Sequence, residues 1–152
     1  MTLIEEIKNY ISMQPKESNI YIGVDSERYK NKDKWFADYT IAVVIHHNAK
    51  NGAKIFGWVE TEQDFDPKSH KPIMRMMNEV YRASKLYLDL VDCFDDRHVE
   101  IHLDINPDEF HGSNCAMQQA IGYIKGTCGK MPKLKPEAFA ASYAADRLKE
   151  FI

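Results

Sequence analysis

The sequence predicts an α/β fold: a mixed five-stranded sheet, its first three strands antiparallel, flanked by helices and preceded by a short leader helix. Three observations carry this. Runs with strand-like alternation occur early in the chain, an Asn51-Gly52 pair sits between two of them, and a long helical repeat then separates them from a further alternating run. The order of elements after the leader reads β-β-β-α-β-α-β-α.

The leader, Thr2 to about Met13, places Leu3, Ile7, Tyr10 and Ile11 at helical spacing with Thr2 as N-cap, and Pro15 ends it. Asn19 to Asp25 follows as the first strand, with Ile20, Ile22 and Val24 on one face and Tyr21, Gly23 and Asp25 on the other. Ser26 to Lys34 is polar and reads as a loop. The second strand, Phe36 to His46, contains the apolar run Ile41 to Ile45 expected of a strand buried on both faces. The Asn51-Gly52 turn then returns the chain into a third strand, about Lys54 to Thr61, antiparallel to the second.

From Ile73 to Phe94 apolar residues recur at helical spacing, giving an amphipathic helix of about six turns. His98 to Asp104 alternates again, with Val99, Ile101 and Leu103 opposite Glu100, His102 and Asp104. Ser113 is placed to cap a helix to about Lys125, Met131 to Lys135 reads as a short fifth strand, and Pro136 opens a last helix through Ile152. The expected organisation is a single domain over 1–152, with the leader over 1–14 and the core fold over 19–147.

The chain has 152 residues, 44% of them hydrophobic, which suffices for a core without disulfide or metal staples and excludes disorder. No apolar run reaches the ~18 residues of a membrane span, and two glutamates near the start are unlike a signal peptide. Three cysteines, Cys93, Cys115 and Cys128, lack CxxC spacing and suit a reducing compartment. The expectation is a cytoplasmic protein with no membrane partner. A net charge of −3 excludes a broadly basic nucleic-acid clamp.

Acids at element ends are the informative residues, because a carboxylate held by a rigid strand can still reach solvent or metal. Asp25 is expected to end the first strand and Asp104 the fourth. The strand after a first crossover helix commonly lies beside the first strand, so the two can converge. On the long helix, Glu79 lies about 90° from the centre of the apolar stripe, able to lean over the sheet edge, whereas Asp89 and Asp92 turn to solvent. Asp146 follows the alanine-rich Glu137 to Ala145 stretch, where an acid is costly unless paired or bound to a cation. Each has an ordinary reading too: turn caps for Asp25 and Asp104, pairing with Arg75 or Arg82 for Glu79, and with Lys149 for Asp146.

Four such acids in this element order resemble the ribonuclease H fold and its D-E-D-D site. More narrowly, IYIGVDSE, VEIHLDINP and LKPEAFAASYAADR resemble the YkuK-like group of ribonuclease H-fold proteins over roughly Asn19 to Arg147. The resemblance implies that Asp25, Glu79, Asp104 and Asp146 hold two Mg²⁺ or Mn²⁺ ions for phosphodiester hydrolysis. It makes Asp25 the bridging ligand, gives Glu79 and Asp104 the ion at the leaving group, and gives Asp146 the ion that activates water. All-oxygen ligands suit such hard cations.

Ser26, Asn106, Ser142 and Lys135 are weaker candidates for substrate contact, with Lys30, Lys32, Lys34, Lys130 and Lys133 as further candidate phosphate contacts. Zinc spacing, a P-loop, GxGxxG and GxSxG are absent from the sequence. The expected activity is a metal-dependent nuclease acting on RNA, RNA–DNA hybrid or structured nucleic acid. The alternative is a non-catalytic nucleic-acid- or protein-binding module that keeps the fold.

Overall fold

The computed structural model describes residues 1–47, 52–65, 73–103 and 114–134. Helix α1 (Leu3–Ser12) starts with a capping box: the Thr2 hydroxyl accepts from the Glu5 amide, and Glu5 accepts from the Thr2 amide. Strands β1 (Asn19–Asn31), β2 (Lys34–His46) and β3 (Ala53–Gln63) form an antiparallel meander. Helix α2 (Ile73–Leu90) runs into a 3₁₀ turn over Val91–Cys93, and β4 (His98–Leu103) then returns parallel to β1. Helix α3 spans Asn114–Cys128.

The sheet has the order β3-β2-β1-β4 and is mixed, with the parallel pair at one side. Among the described residues four strands form it, where five were expected. Of the segment read as a fifth strand, Met131 to Lys135, the described residues make a single bridge, in which the Lys133 amide donates to Ile101 and the Lys133 carbonyl accepts from Leu103. Met131, Pro132 and Lys133 offer one usable amide pair, because Pro132 cannot donate.

The second correction concerns β1. The polar stretch read as a loop is strand on both sides of a two-residue turn, with Lys32 and Asp33 at φ 50° and 66°. Polar composition misled here because this half of the hairpin is a ribbon that leaves both faces partly in water. Cross-strand pairs hold it instead: the Tyr29 ring stacks on Phe36 with centroids 5.9 Å apart, and the Arg28 guanidinium lies 4.3 Å over Trp35 while pairing with Asp64 at 2.7 Å.

Alternation decides where the core sits. Ile20, Ile22 and Val24 of β1, Ile41, Val43 and Ile45 of β2, and Val99, Ile101 and Leu103 of β4 share one buried face. On it pack Ile7 and Ile11 of α1, Val80, Ala83 and Leu86 of α2, and Ala120 and Ile124 of α3. Of the α2 methionines, Met76 and Met77 are buried and Met74 is exposed. The opposite face carries a smaller apolar cluster, Ala42 and Val44 with Tyr21 and Ile55. Arg97 ties α1 to the loop before β4, donating to the carbonyls of Gln14 at 2.6 Å and Cys93 at 3.3 Å.

Candidate functional site at the β1–α2 junction

Asp25 does not end β1. It lies within the strand, opposite Thr40 of β2, one residue beyond the last pair that β1 makes with β4, Val24 with Leu103. Up to Val24 the strand is flanked on both sides by β2 and β4; from Asp25 on it continues as hairpin. The carboxylate is thus mounted on continuous backbone where the four-stranded part of the sheet stops, a stiffer support than a turn.

Glu79 reaches the same stretch of β1 from the helix side of the sheet. The apolar residues Met76, Met77, Val80 and Ala83 fix the rotation of α2 on the sheet, and Arg82 clamps it further. The Arg82 guanidinium lies 4.0 Å over the Tyr39 ring and pairs with Glu60 and Glu62, each at 2.9 Å. Arg82 is thereby committed to the sheet. Glu79 is left pointing inward at 8% exposure, where the Ser26 hydroxyl donates to its Oε2 at 2.5 Å. Asn78, its neighbour, donates to the Tyr39 hydroxyl at 3.1 Å.

Ser26 connects the two acids. Strand parity puts Ser26 on the helix face beside Val24 and directly opposite Tyr39, and puts Asp25 on the other face. The Ser26 amide donates to Asp25 Oδ1 at 2.9 Å while its hydroxyl serves Glu79. Sequence reasoning named Ser26 as a candidate for substrate contact; the structure commits its hydroxyl to a carboxylate.

On the Asp25 face, β4 contributes a line of polar side chains. Glu100 accepts from His98 Nε2 at 2.6 Å and from His102 Nε2 at 2.9 Å. Burial pushes the His102 imidazole toward its neutral form, so the ring carries its proton on the nitrogen that faces Glu100. Burial would raise the Glu100 carboxyl, but the hydrogen bonds from the two histidines outweigh it and hold its pKa below the usual value. The His102 ring also lies 5.4 Å from Tyr21.

Of the residues singled out from sequence, the structure brings together Asp25, Ser26 and Glu79. Asp104, Asn106, Lys135, Ser142 and Asp146 lie outside the described residues, although Asp104 follows Leu103 directly in the chain. Among the described residues no three His, Cys, Asp or Glu side chains gather in a metal-holding group. Lys30, Lys32 and Lys34 stand exposed at the hairpin tip, and none has an acidic partner among the described residues. A separate groove of about 410 Å³, lined by Ile4, Trp58, Arg82 and Leu86 among others, contains neither Asp25 nor Glu79. No described helix is long and apolar enough to cross a membrane.

A mixed sheet with three antiparallel strands, a parallel fourth beside the first and an acid on each side of the β1–α2 junction is the frame the sequence motifs suggested. The family model described as Ribonuclease H-like matches residues 2–150. The chain belongs to the ribonuclease H-like family. The resemblance read from its motifs is therefore borne out at the level of family. No curated protein matches the chain. Within this ribonuclease H-like chain, Thr40 is the residue that sequence reading missed. It is fully buried opposite Asp25, and its hydroxyl has no hydrogen-bond partner among the described residues. The Asp25 carboxylate and the orphaned Thr40 hydroxyl that faces it are oxygen donors, the kind that suits a hard divalent cation.

Proposed function

We propose that the chain is a metal-dependent nuclease that hydrolyses phosphodiester bonds in RNA, RNA–DNA hybrid or structured nucleic acid. The observation that carries this reading is Ser26 bonded to both carboxylates, which ties an acid from β1 and an acid from α2 into one unit. Asp25, Glu79, Asp104 and Asp146 are the proposed ligands of two Mg²⁺ or Mn²⁺ ions. Such ions supply an activated water and neutralise charge on the leaving oxygen.

The chain's own residues supply placement. Asp25 is carried on continuous strand, and Glu79 is enclosed and aimed by the docking of α2. Asp104, outside the described residues, follows Leu103, the partner of Val24, directly in the sequence. Substrate contact is proposed for Ser26, Asn106, Ser142 and Lys135. The lysines of the hairpin tip are proposed to bind backbone phosphates, with Lys30 five residues along β1 from Asp25, about 17 Å at ~3.3 Å per residue.

The test is a titration of Mn²⁺ into the whole chain by calorimetry, paired with cleavage of single-stranded RNA, hybrid duplex, junction and flap substrates. Wild-type protein is expected to bind Mn²⁺ and cleave at least one substrate. Asp25→Asn should lose both while keeping its circular dichroism spectrum. Wild type that binds no Mn²⁺ and shows no divalent-dependent cleavage overturns the proposal; nucleic-acid binding without cleavage would assign the non-catalytic role instead.

A further inference from the structure

Stability alone gives no reason for a hydroxyl at position 40. Thr40 adjoins the apolar run from Ile41 to Ile45, is itself 0% exposed, and leaves its Oγ1 without a partner among the described residues. Valine has the same shape, packs a strand equally well and strips no oxygen of water. What Thr40 has is its place in the register: it faces Asp25 across the antiparallel pair, on the same side of the sheet. Directly opposed side chains have Cβ atoms ~4.5–5.5 Å apart, within reach of a hydroxyl-to-carboxylate hydrogen bond or of one shared water. Other buried polar atoms without partners, such as Ser18 Oγ and Arg97 Nε, do not face a candidate site acid in this way.

We propose that Thr40 is a positioning residue of the Asp25 site. When Asp25 takes a divalent cation, the Thr40 hydroxyl donates to its carboxylate, directly or through one water, and fixes the orientation in which the carboxylate binds. Ser26 holds Oδ1 from the backbone of the same strand, and Thr40 approaches from the neighbouring one. The carboxylate is thus braced from two strands, the kind of outer support that tunes a metal ligand. This inference deepens the proposed function and rests on it.

The two roles of Thr40 pull in opposite directions, which gives the test its sign. Thr40→Val removes a buried, unsatisfied oxygen, so its melting temperature in chelator should rise by about 2–4 °C. The same change should weaken Mn²⁺ binding about tenfold or more, because the outer support of a ligand is lost. Thr40→Ser keeps the hydroxyl and should restore wild-type Mn²⁺ affinity, despite a lower melting temperature from the lost methyl. Calorimetric titration of Mn²⁺ and thermal unfolding of the whole chain read both quantities. Thr40→Ala, which also deletes the hydroxyl, takes the place of valine should that variant not fold.

Wild-type Mn²⁺ affinity in Thr40→Val overturns the inference, as does a serine variant as weak as the valine one. If wild type itself binds no Mn²⁺, the proposed function falls with it. If wild type binds, Asp25→Asn does not and Thr40→Val does, only the role of Thr40 is lost.

Discussion

His102 shows how one fully buried side chain sets a pH limit on the fold. Its imidazole is held neutral by burial and donates from Nε2 to Glu100. A base whose folded pKa lies below its unfolded value of about 6.5 binds more protons when unfolded, so acid favours the unfolded chain. Its stabilising effect is complete above pH ~6.5 and is lost as pH falls below that value. Glu100 acts in the same sense further down: its folded pKa is lowered, so its contribution is present above the ordinary carboxylate value and disappears below it. The urea midpoint is therefore expected to fall in two stages on acidification, the first beginning near pH 6.5. His102→Gln retains an N–H donor and does not titrate, so it should abolish the first stage and keep the second. Unfolding curves between pH 8 and pH 4 read this directly, and an unchanged first stage in the variant would sink the assignment.

At the level of elements, the β1–β2 hairpin places the candidate site and was the part least legible in the sequence. Its turn residues, Lys32 and Asp33, both adopt positive φ, which an L side chain does at a cost of about 1 kcal/mol each. Asp33→Gly should relieve part of that cost and raise stability by about 0.5–1 kcal/mol, whereas Asp33→Val should lower it by more; urea midpoints measure both. Neither Lys-Asp nor the polar residues around it carry the hairpin signal that Asn51-Gly52 carries for β2–β3. Asp25 therefore looked like a strand end. Once the turn is centred between residues 32 and 33, antiparallel register follows by counting, and position 25 must face position 40. Thr40 was hidden for this reason: beside Ile41 to Ile45 it reads as one more β-former, and only register turns it toward Asp25. Glu79 was legible, because helical spacing alone puts it on the flank of the α2 stripe. Its burial was not, since that depends on Arg82 being drawn away to Tyr39, Glu60 and Glu62.

For the whole molecule, the charge balance of −3 bears on how an acidic chain would approach a polyanion. Adding the four positive charges of two divalent ions gives +1, and those charges would be concentrated at the acids proposed to bind phosphate through them. The three exposed lysines at the hairpin tip would supply a second, metal-independent attraction. These two contributions separate in one experiment, fluorescence anisotropy of a labelled nucleic acid in Mn²⁺ and in chelator. Wild type should bind more tightly in Mn²⁺, and changing Lys30, Lys32 and Lys34 to Ala together should weaken binding in both media and flatten its salt dependence by about one unit of slope per lost phosphate contact. Asp25→Asn should cross over. With Mn²⁺ it loses the ion and binds more weakly than wild type; in chelator it lacks one repelling charge and should bind as tightly or more so. A variant equally weakened in both media would mean that Asp25 supports binding through the fold and not through a cation.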